Sequence, residues 1–237
     1  MNTILFDLDG TLLTMNTDLF MHYYMKSLTE TFLPIMDPAD FQKRLWEGTR
    51  LMLKNTGGNE TNEAVFYRSF FKNMGTDHES VINAFDQFYE TSFEKARAAT
   101  ASNEYMVDAV KCLKTKGYRL AVATNPLFPI RAVKRRIHWA GLSPTDFELI
   151  TSFETMHACK PNPAFYQEVL EQLNVQPHEA MMVGNDARED LAAGGLGIQT
   201  YLVTDCLLQA ESSPFTPDHQ GSSLDFLQYI ISLPELP

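Results

Sequence analysis

The sequence contains few cysteines. Cys112, Cys159 and Cys206 are the three among 237 residues, and they are odd in number and widely spaced. This pattern indicates neither a disulfide framework, which needs paired cysteines, nor a zinc cluster, which needs closely spaced ligands. A chain without disulfides suits a reducing compartment, so we predict a cytoplasmic protein.

Long apolar runs and excess positive charge are also absent from the sequence. No segment offers about 18 consecutive apolar residues, so no membrane-spanning helix is predicted. The first apolar run is short and follows no basic stretch, which argues against a signal peptide. Lys and Arg number 19 against 30 Asp and Glu, a formal net charge of −11. Because nucleic-acid binding requires a basic face, we predict partners that are neither nucleic acid nor membrane.

The sequence does contain two clearly different periodicities. Residues 15–95 repeat apolar, largely aromatic side chains at spacings of three and four, which predicts four helices with an aromatic core. From about residue 104, short apolar strands alternate with helices, which predicts an α/β fold with a helix-covered parallel sheet. We therefore predict a core domain formed by residues 1–14 and 96–237, and an inserted helical cap domain formed by residues 15–95.

The predicted elements follow from the apolar runs and from the glycines and prolines that end them. Strands are predicted at residues 4–6, 120–123, 148–151, 180–183 and 199–203. Helices of the α/β portion are predicted at residues 106–116, 130–140, 163–173, 187–193 and 224–231. Residues 212–221 are predicted as a loop, and the last cap helix is predicted to begin near Asp77.

Two aspartates follow the first apolar run. Residues 4–6 (Ile-Leu-Phe) are typical of a short buried strand, and Asp7 and Asp9 come directly after it. In extended chain, positions two apart point the same way, so both carboxylates converge at the strand's carboxyl end. Gly10 permits a sharp turn there, and open α/β sheets bind ligands at this edge. Such a pair suits a cation-bound nucleophile beside a proton-holding carboxyl, although an Asp-x-Asp alone equally indicates a turn or a helix cap.

Polar residues also follow three later strands. Thr124 and Asn125 could hold an oxyanion, and Lys160, which precedes two prolines, could neutralise a phosphate. Asp186 and Asp190 lie four apart at the start of a predicted helix, where they share a face. Asp186 could reach a metal shared with the first strand, and Asp190 could position Lys160. Each feature alone is more typical of a cap, a turn or a solvated lysine, but together they predict one site at the sheet edge.

Taken in order, these residues resemble the four motifs of the haloacid dehalogenase (HAD) superfamily. Motif I is Phe-Asp-Leu-Asp-Gly-Thr-Leu at residues 6–12, and motif II is Thr124 with Asn125. Motif III is Lys160 with the prolines that follow it, and motif IV is residues 184–190. The resemblance covers the whole α/β portion. It implies a Rossmann-like sheet with helices on both faces and a helical cap inserted after motif I.

The resemblance also implies a mechanism. It implies Asp7 as the nucleophile that forms an aspartyl-phosphate, and Asp9 as general acid for the leaving alcohol and then base for water. It implies Mg²⁺ bound by Asp7, the backbone carbonyl of Asp9 and Asp186. Lys160 would be catalytic and would bind the substrate phosphate.

The same resemblance assigns the remaining motif residues. Thr124 and Asn125 would bind the substrate together with Lys160, and Asp190 would support that lysine. Dehalogenase and phosphonatase members lack the second motif I aspartate, because they need no acid for an alkoxide leaving group. The presence of Asp9 therefore favours phosphate transfer.

We therefore predict a Mg²⁺-dependent phosphatase that hydrolyses a small phosphorylated metabolite. A phosphomutase of sugar phosphates and a non-catalytic regulatory protein on the same scaffold are alternatives that the sequence leaves open. The polar stretch at residues 55–59 lies between predicted cap helices and indicates either a substrate-selecting loop or a solvent loop. Neither the substrate nor the oligomeric state follows from the sequence.

Overall fold

Strands and helices alternate through most of the chain. The structure, a computed structural model, describes residues 1–75 and 78–237. The strands are β1 (Thr3–Phe6), β2 (Leu13–Met15), β3 (Thr100–Ser102), β4 (Arg119–Val122), β5 (Leu149–Ile150), β6 (Ala180–Gly184), β7 (Gln199–Val203) and β8 (His219–Gly221). The α-helices are α1 (Thr17–Phe32), α2 (Pro38–Leu53), α3 (Asn62–Phe70), α4 (His78–Glu90), α5 (Glu104–Thr115), α6 (Ile130–Trp139), α7 (Pro163–Leu173) and α8 (Ser223–Ser232). Short 3₁₀ helices lie at Ser92–Ala99, Pro144–Asp146, Pro177–Glu179, Asp190–Leu196 and Ala210–Ser212.

Six strands form one parallel sheet with β1 near its middle. The order is β5-β4-β1-β6-β7-β8, and every pairing in it is parallel. The chain runs outward from β1 through β4 and β5 and then returns to the other side of β1 to form β6. This reversal makes the carboxyl end of β1 a topological switch point, where open α/β sheets bind ligands.

Helices cover both faces of the sheet, so the side chains of β1 are buried on both sides. The Phe6 ring meets the ring of Phe226 on α8 edge-on, with centroids 6.0 Å apart. Leu5 points to the opposite face, where it belongs to a cluster that includes Phe165 and Val169 of α7. Successive side chains of a strand point to opposite faces, so an uninterrupted apolar run is required here. The predicted α/β fold with a Rossmann-like parallel sheet is confirmed.

The helices α1 to α4 surround a dense aromatic cluster. The Phe41 ring stacks on Phe32 with centroids 4.3 Å apart, and lies 6.1 Å from Phe70 and 6.3 Å from Phe85. All four rings are buried, as the helical spacing of the aromatic residues predicts. Aromatic pairs contribute to the stability of the fold through offset and edge-on contacts, in addition to the apolar area that they bury.

A short antiparallel ribbon joins the helical segment to the sheet. Strand β2 pairs with β3, with Leu13 opposite Ser102 and Met15 opposite Thr100. The chain therefore enters and leaves the helical segment side by side. The division into two domains at residues 14/15 and 95/96 stays a prediction.

Some elements differ from the sequence prediction. The ribbon and the 3₁₀ helix Ser92–Ala99 were not predicted, and the predicted loop at residues 212–221 contains strand β8. The predicted helix at residues 187–193 is a 3₁₀ helix at Asp190–Leu196. Three-residue strands are too short to show a period of two, which explains the missed strands. The predicted start of a cap helix near Asp77 lies outside the described residues.

Truncation of the central aromatic ring tests the packing of the helical segment. We expect Phe41→Ala to lower the free energy of unfolding by about 3–5 kcal/mol, because it leaves a cavity among three rings. The matched control is Leu33→Ala at the end of α1, where the side chain is 57% exposed and the change should stay within about 0.5 kcal/mol. Urea titration followed by circular dichroism measures both. Equal losses in the two variants would contradict a core at Phe41.

Candidate active site

A lysine ammonium lies between two carboxylates at the carboxyl ends of β1 and β6. Lys160 Nζ donates to Asp7 Oδ1 at 2.9 Å and to Asp190 Oδ1 at 2.7 Å. The side chain of Lys160 is 1% exposed, that of Asp190 2% and that of Asp7 13%. Charges attract one another much more strongly in such a dry environment than in water. The structure therefore brings together three of the predicted site residues, from three separate parts of the chain.

The sheet register places Asp7 at this point. The Asp7 N–H donates to the carbonyl of Val183 on β6 at 2.8 Å, and the Ala123 N–H donates to the carbonyl of Phe6 at 2.7 Å. The ends of β4, β1 and β6 are thus level with one another. Residues that follow these three strands consequently emerge at the same edge.

Asp190 reaches Lys160 because residue 184 is glycine. A Cβ atom at Gly184 would lie 2.0 Å from Asp190 Oδ2, so no other residue leaves room for this carboxylate. The Asp186 N–H donates to that same oxygen at 2.9 Å, and the Asp190 N–H donates to the Asp186 carbonyl at 2.9 Å. These two hydrogen bonds tie Asp190 to the backbone of the loop that follows β6.

Burial and charge set the proton affinities in this group. Burial alone lowers the pKa of Lys160, but the carboxylates of Asp190 and Asp7 outweigh it, so that pKa is raised and the ammonium stays charged. Burial raises the pKa of Asp190 to about 6, against the opposing effect of Lys160. Burial also raises the pKa of Asp7; Lys160 opposes this rise and Asp9 adds to it. Lys160 is therefore the group that favours the ionised form of both carboxylates.

Asp9 contacts a buried arginine that the sequence analysis did not identify. Arg136 Nη1 donates to Asp9 Oδ2, and the arginine side chain is 1% exposed. The Arg136 guanidinium carbon also lies 4.4 Å from the ring centroid of Phe128, a cation–π contact. Burial raises the pKa of Asp9, and the charge of Arg136 opposes the rise. Asp9 Oδ1 and Arg136 Nη2 are buried without a hydrogen-bond partner among the described residues.

The pattern of α6 contains a signal for Arg136. Its neighbours on the buried face are Ala132, Val133 and Ile137, so the arginine occupies a position in the apolar stripe. An arginine in a stripe of this kind requires a buried partner, because an unpaired buried charge is very costly. The apolar spacing thus marks Arg136 as buried, but it does not identify Asp9 as the partner.

Thr124 and Asn125 lie at the same edge without a hydrogen bond to Asp7. Thr124 is buried, and its hydroxyl makes no hydrogen bond within the described part of the chain. Asn125 Nδ2 donates to Glu189 Oε2 at 3.0 Å, whereas Asn125 Oδ1 is buried and has no partner among these residues. Burial raises the pKa of Glu189 to about 7. Both predicted substrate-binding side chains therefore retain hydrogen-bonding capacity for a ligand.

Asp186 is fixed by its own loop. Its Oδ1 accepts the N–H groups of Arg188 at 2.8 Å and Glu189 at 2.9 Å, and its Oδ2 accepts from Gln209 Nε2 at 2.8 Å. The structure places it two residues beyond β6, the strand that pairs with β1. The predicted role of Asp186 as a metal ligand stays a prediction.

The donor atoms at this edge suit magnesium. Within residues 1–75 and 78–237, no three His, Cys, Asp or Glu side chains are arranged to hold a metal ion. The predicted set contains two carboxylates, those of Asp7 and Asp186, and the backbone carbonyl of Asp9, so it needs no third side chain. Carboxylate and carbonyl oxygens are the hard ligands that Mg²⁺ prefers, usually with several waters retained. The residues present therefore fit this ion by their chemistry.

The helical segment contacts the loops that carry two of the motifs. Asn62 at the start of α3 is fully buried, and its Nδ2 donates to the carbonyl of Pro126 at 3.2 Å. The Gly57 N–H donates to the carbonyl of His157 at 2.9 Å. The polar stretch at residues 55–59 is thus not only a solvent loop, because it packs against the segment that leads to Lys160.

The fold and the site define a hydrolase-type centre, in which Lys160 contacts the carboxylates of Asp7 and Asp190 at the switch point of a parallel sheet. The family model for haloacid dehalogenase-like hydrolases matches residues 1–196, so the chain belongs to this family. Pyrophosphatase PpaX of Bacillus cereus (strain B4264) is 24% identical over 232 residues, covering 98% of this chain and 96% of that protein. PpaX of Bacillus pumilus (strain SAFR-032) is 26% identical over 202 residues, covering 84% and 81%.

Solved structures of the same fold cover nearly the whole chain. A HAD phosphatase from Thermococcus onnurineus superimposes with a TM-score of 0.60 at 19% identity, covering 100% of both chains. A 2-haloacid dehalogenase from Pseudomonas syringae pv. Tomato DC3000 gives a TM-score of 0.65 at 22% identity, covering 98% of this chain and 99% of the other. At these identities the likeness establishes the fold alone.

Among the helices of the described residues, none has both the length and the apolar character that a membrane span requires.

Removal of the central ammonium should destabilise the protein. We expect Lys160→Met to lower the free energy of unfolding by about 3–5 kcal/mol at pH 8, because Asp7 and Asp190 are left buried without a cation. This loss of stability should become smaller as the pH falls to about 5. An acid whose pKa is raised in the folded state destabilises the protein only at pH values where it is ionised. The control Lys111→Met removes an exposed ion pair with Asp108 and should have little effect. A deficit that is the same at both pH values in urea titrations would contradict this account.

Proposed function

We propose that the protein is a Mg²⁺-dependent phosphatase that hydrolyses a small phosphomonoester through an aspartyl-phosphate on Asp7. The observation that supports this most directly is the Lys160 ammonium, held between Asp7 and Asp190 and near a third carboxylate, that of Asp9. An ammonium in this position can stabilise negative charge on a transferring phosphoryl group and on the attacking carboxylate at once. The Bacillus relatives, which are named pyrophosphatases, support phosphate chemistry.

In the first step, a carboxylate oxygen of Asp7 attacks phosphorus. The new bond joins that oxygen to phosphorus, and the bond from phosphorus to the leaving oxygen breaks. Asp9 gives its proton to the leaving oxygen as the bond breaks. Asp9 Oδ1 suits this role, because it is the oxygen that has no hydrogen-bond partner among the described residues, while Oδ2 is held by Arg136.

In the second step, water attacks phosphorus and the bond to the Asp7 oxygen breaks. Asp9, now deprotonated, takes the proton of the attacking water. Arg136 favours the ionised form of Asp9, which suits this half of the reaction, whereas burial favours the protonated form needed in the first half. The two opposing influences allow one carboxyl group to serve as acid and then as base.

The remaining residues bind the phosphate and the metal. Thr124, Asn125 and Lys160 would donate to the phosphoryl oxygens. Magnesium, held by Asp7, Asp186 and the Asp9 carbonyl, would neutralise part of the charge that develops on the phosphoryl group. The helical segment would act as the cap over this edge, which its contacts through Asn62 support. A small phosphorylated metabolite as substrate and a cytoplasmic location belong to the same proposal.

Replacement of the nucleophile tests the proposal directly. We expect Asp7→Asn to lower phosphate release from phosphomonoesters by at least about 10⁴-fold, because a neutral amide does not form the acyl phosphate. Circular dichroism should show that the variant folds. The control Asp18→Asn changes an exposed aspartate in the first turn of α1 and should retain full activity. Retention of wild-type turnover by Asp7→Asn would refute covalent catalysis at this residue.

Removal of the metal gives a second test. Dialysis against EDTA should abolish activity, and added Mg²⁺ should restore it, because the phosphoryl charge then again has its counter-ion. Asp186→Asn should raise the Mg²⁺ concentration needed for half-maximal activity by at least about tenfold. Full activity after thorough chelation would contradict the metal requirement.

Product analysis separates hydrolysis from the alternatives. With glucose 1-phosphate and Mg²⁺, we expect free phosphate rather than a 6-phosphate product. Formation of the 6-phosphate would instead establish a phosphomutase. If no phosphoester in a broad panel is turned over in the presence of Mg²⁺, the non-catalytic alternative holds.

A further inference from the structure

A cavity of about 550 Å³ lies between the helical segment and the sheet portion. All four helices α1 to α4 contribute to its wall, and so do residues 127–129, which follow motif II, and residues 153–154. Its apolar lining includes Met25, Trp46, Phe66, Phe85 and Phe128. The volume falls within the range of small-molecule sites, and the lining is typical of them.

Two side chains, Phe128 and Arg136, connect the cavity to Asp9, the residue that we propose as the general acid. Phe128 forms part of its wall, and the Arg136 guanidinium carbon lies 4.4 Å from the centre of that ring. Arg136 in turn contacts Asp9. Because Asp9 would protonate the leaving oxygen, the leaving group of the substrate must lie next to Asp9. The cavity wall also includes residues 127–129, which closely follow Thr124 and Asn125 along the chain, so it is near the proposed phosphate-binding residues in sequence as well.

The cavity wall carries an excess of negative charge. Glu63, Asp86 and Glu154 line it together with one cation, Arg131. Arg131 pairs with Asp86 at 3.0 Å, and the Glu154 carboxylate accepts the Ile130 N–H at 2.9 and 3.0 Å. Glu63 is left without a cation or a hydrogen-bond donor within the described part of the chain. Burial raises the pKa of Glu63, and Glu154 and Asp86 raise it further, as expected for a carboxylate that lacks a counter-ion.

The mouth of the cavity exposes large apolar side chains. Trp46 is 49% exposed, Leu53 46% and Ile82 38%, although their helices α2 and α4 bury other large apolar residues, such as Phe41 and Phe85. Exposed apolar surface of this kind marks a binding site more often than an accident of packing when it surrounds a cavity. It indicates a ligand with a substantial apolar body.

We propose that this cavity binds the leaving group of the substrate, and that this group is an aromatic or aliphatic alcohol that carries an ammonium group. The substrate class would thus be the phosphate monoester of an apolar amino alcohol, with its ammonium beside Glu63. The proposal rests on the proposed phosphatase function. The apolar body would be stabilised by burial, and the ammonium by the unpaired carboxylate and the neighbouring aromatic rings. A leaving group with a carboxylate or a second phosphate would be repelled by the three acids.

Three aryl phosphates that share a para-ethylphenyl body and differ in the charge at its end test the proposal. They are tyramine O-phosphate, 4-ethylphenyl phosphate and 3-(4-hydroxyphenyl)propanoate O-phosphate. We expect kcat/KM to be highest for the amine and lowest for the carboxylate, with at least about a tenfold difference between these two. This corresponds to about 1.4 kcal/mol.

Substitution of Glu63 should change this order. Glu63→Gln should remove most of the preference for the amine, and Glu63→Lys should favour the carboxylate. Both changes are at a partly exposed position, and circular dichroism checks folding. The matched control Glu47→Gln alters an exposed glutamate of α2 outside the cavity and should leave the order unchanged.

The outcomes distinguish this inference from the proposed function. Equal kcat/KM values for the three esters, or a preference that Glu63→Lys does not alter, would overturn the substrate class and leave the phosphatase function intact. Turnover of acetyl phosphate or pyrophosphate but none of the aryl esters would do the same. If no phosphoester is hydrolysed, the proposed function fails. Calorimetry with tyramine then tests the cavity independently of catalysis. Tyramine binding that is lost in Glu63→Gln supports the charge preference of the cavity, and absence of tyramine binding overturns that preference.

Discussion

One buried ammonium group holds together three distant parts of the chain. Lys160 precedes α7, Asp7 directly follows β1 and Asp190 follows β6. Without the other two, each charge would be buried with no partner of opposite sign. Charged groups lose several kcal/mol when they leave water, so none of the three can be buried alone. The group is therefore less a source of stability than a constraint. It fixes the positions of loops that apolar packing alone would leave free to vary.

The sheet edge and the cavity wall differ in how their carboxylates are balanced. At the sheet edge, Lys160 and Arg136 are each paired with site aspartates. On the far side of Phe128, the cavity wall carries acidic groups in excess of its one cation. Binding of an anionic phosphate would therefore depend on the two buried cations and on the proposed Mg²⁺, whereas a cationic end of the substrate would be attracted by the cavity wall. Substrate orientation and the reaction would thus depend on the same few charges.

The sequence was informative wherever a residue had to follow a strand. Asp7, Thr124 and Asp186 were predicted at one edge because parallel strands end at one edge, and the sheet has that arrangement. The partner of Arg136 was not predictable, since helical spacing indicates burial but not which distant carboxylate it meets. The cavity was also missed. Trp46 fits an apolar stripe at helical spacing, and only the three-dimensional arrangement of four helices reveals that the stripe is not fully covered.

The ribbon of β2 and β3 has a consequence for how the molecule could work and change. The isolated bridge between Asp9 and Leu13 joins the proposed proton donor to the first strand of that ribbon. Any shift of the helices relative to the sheet would be transmitted through this ribbon to the backbone of the proton donor, so enclosure of a substrate and readiness for proton transfer would be mechanically linked. Because the helical segment begins and ends at paired strands, its length and shape could also diverge during evolution while the sheet stays the same.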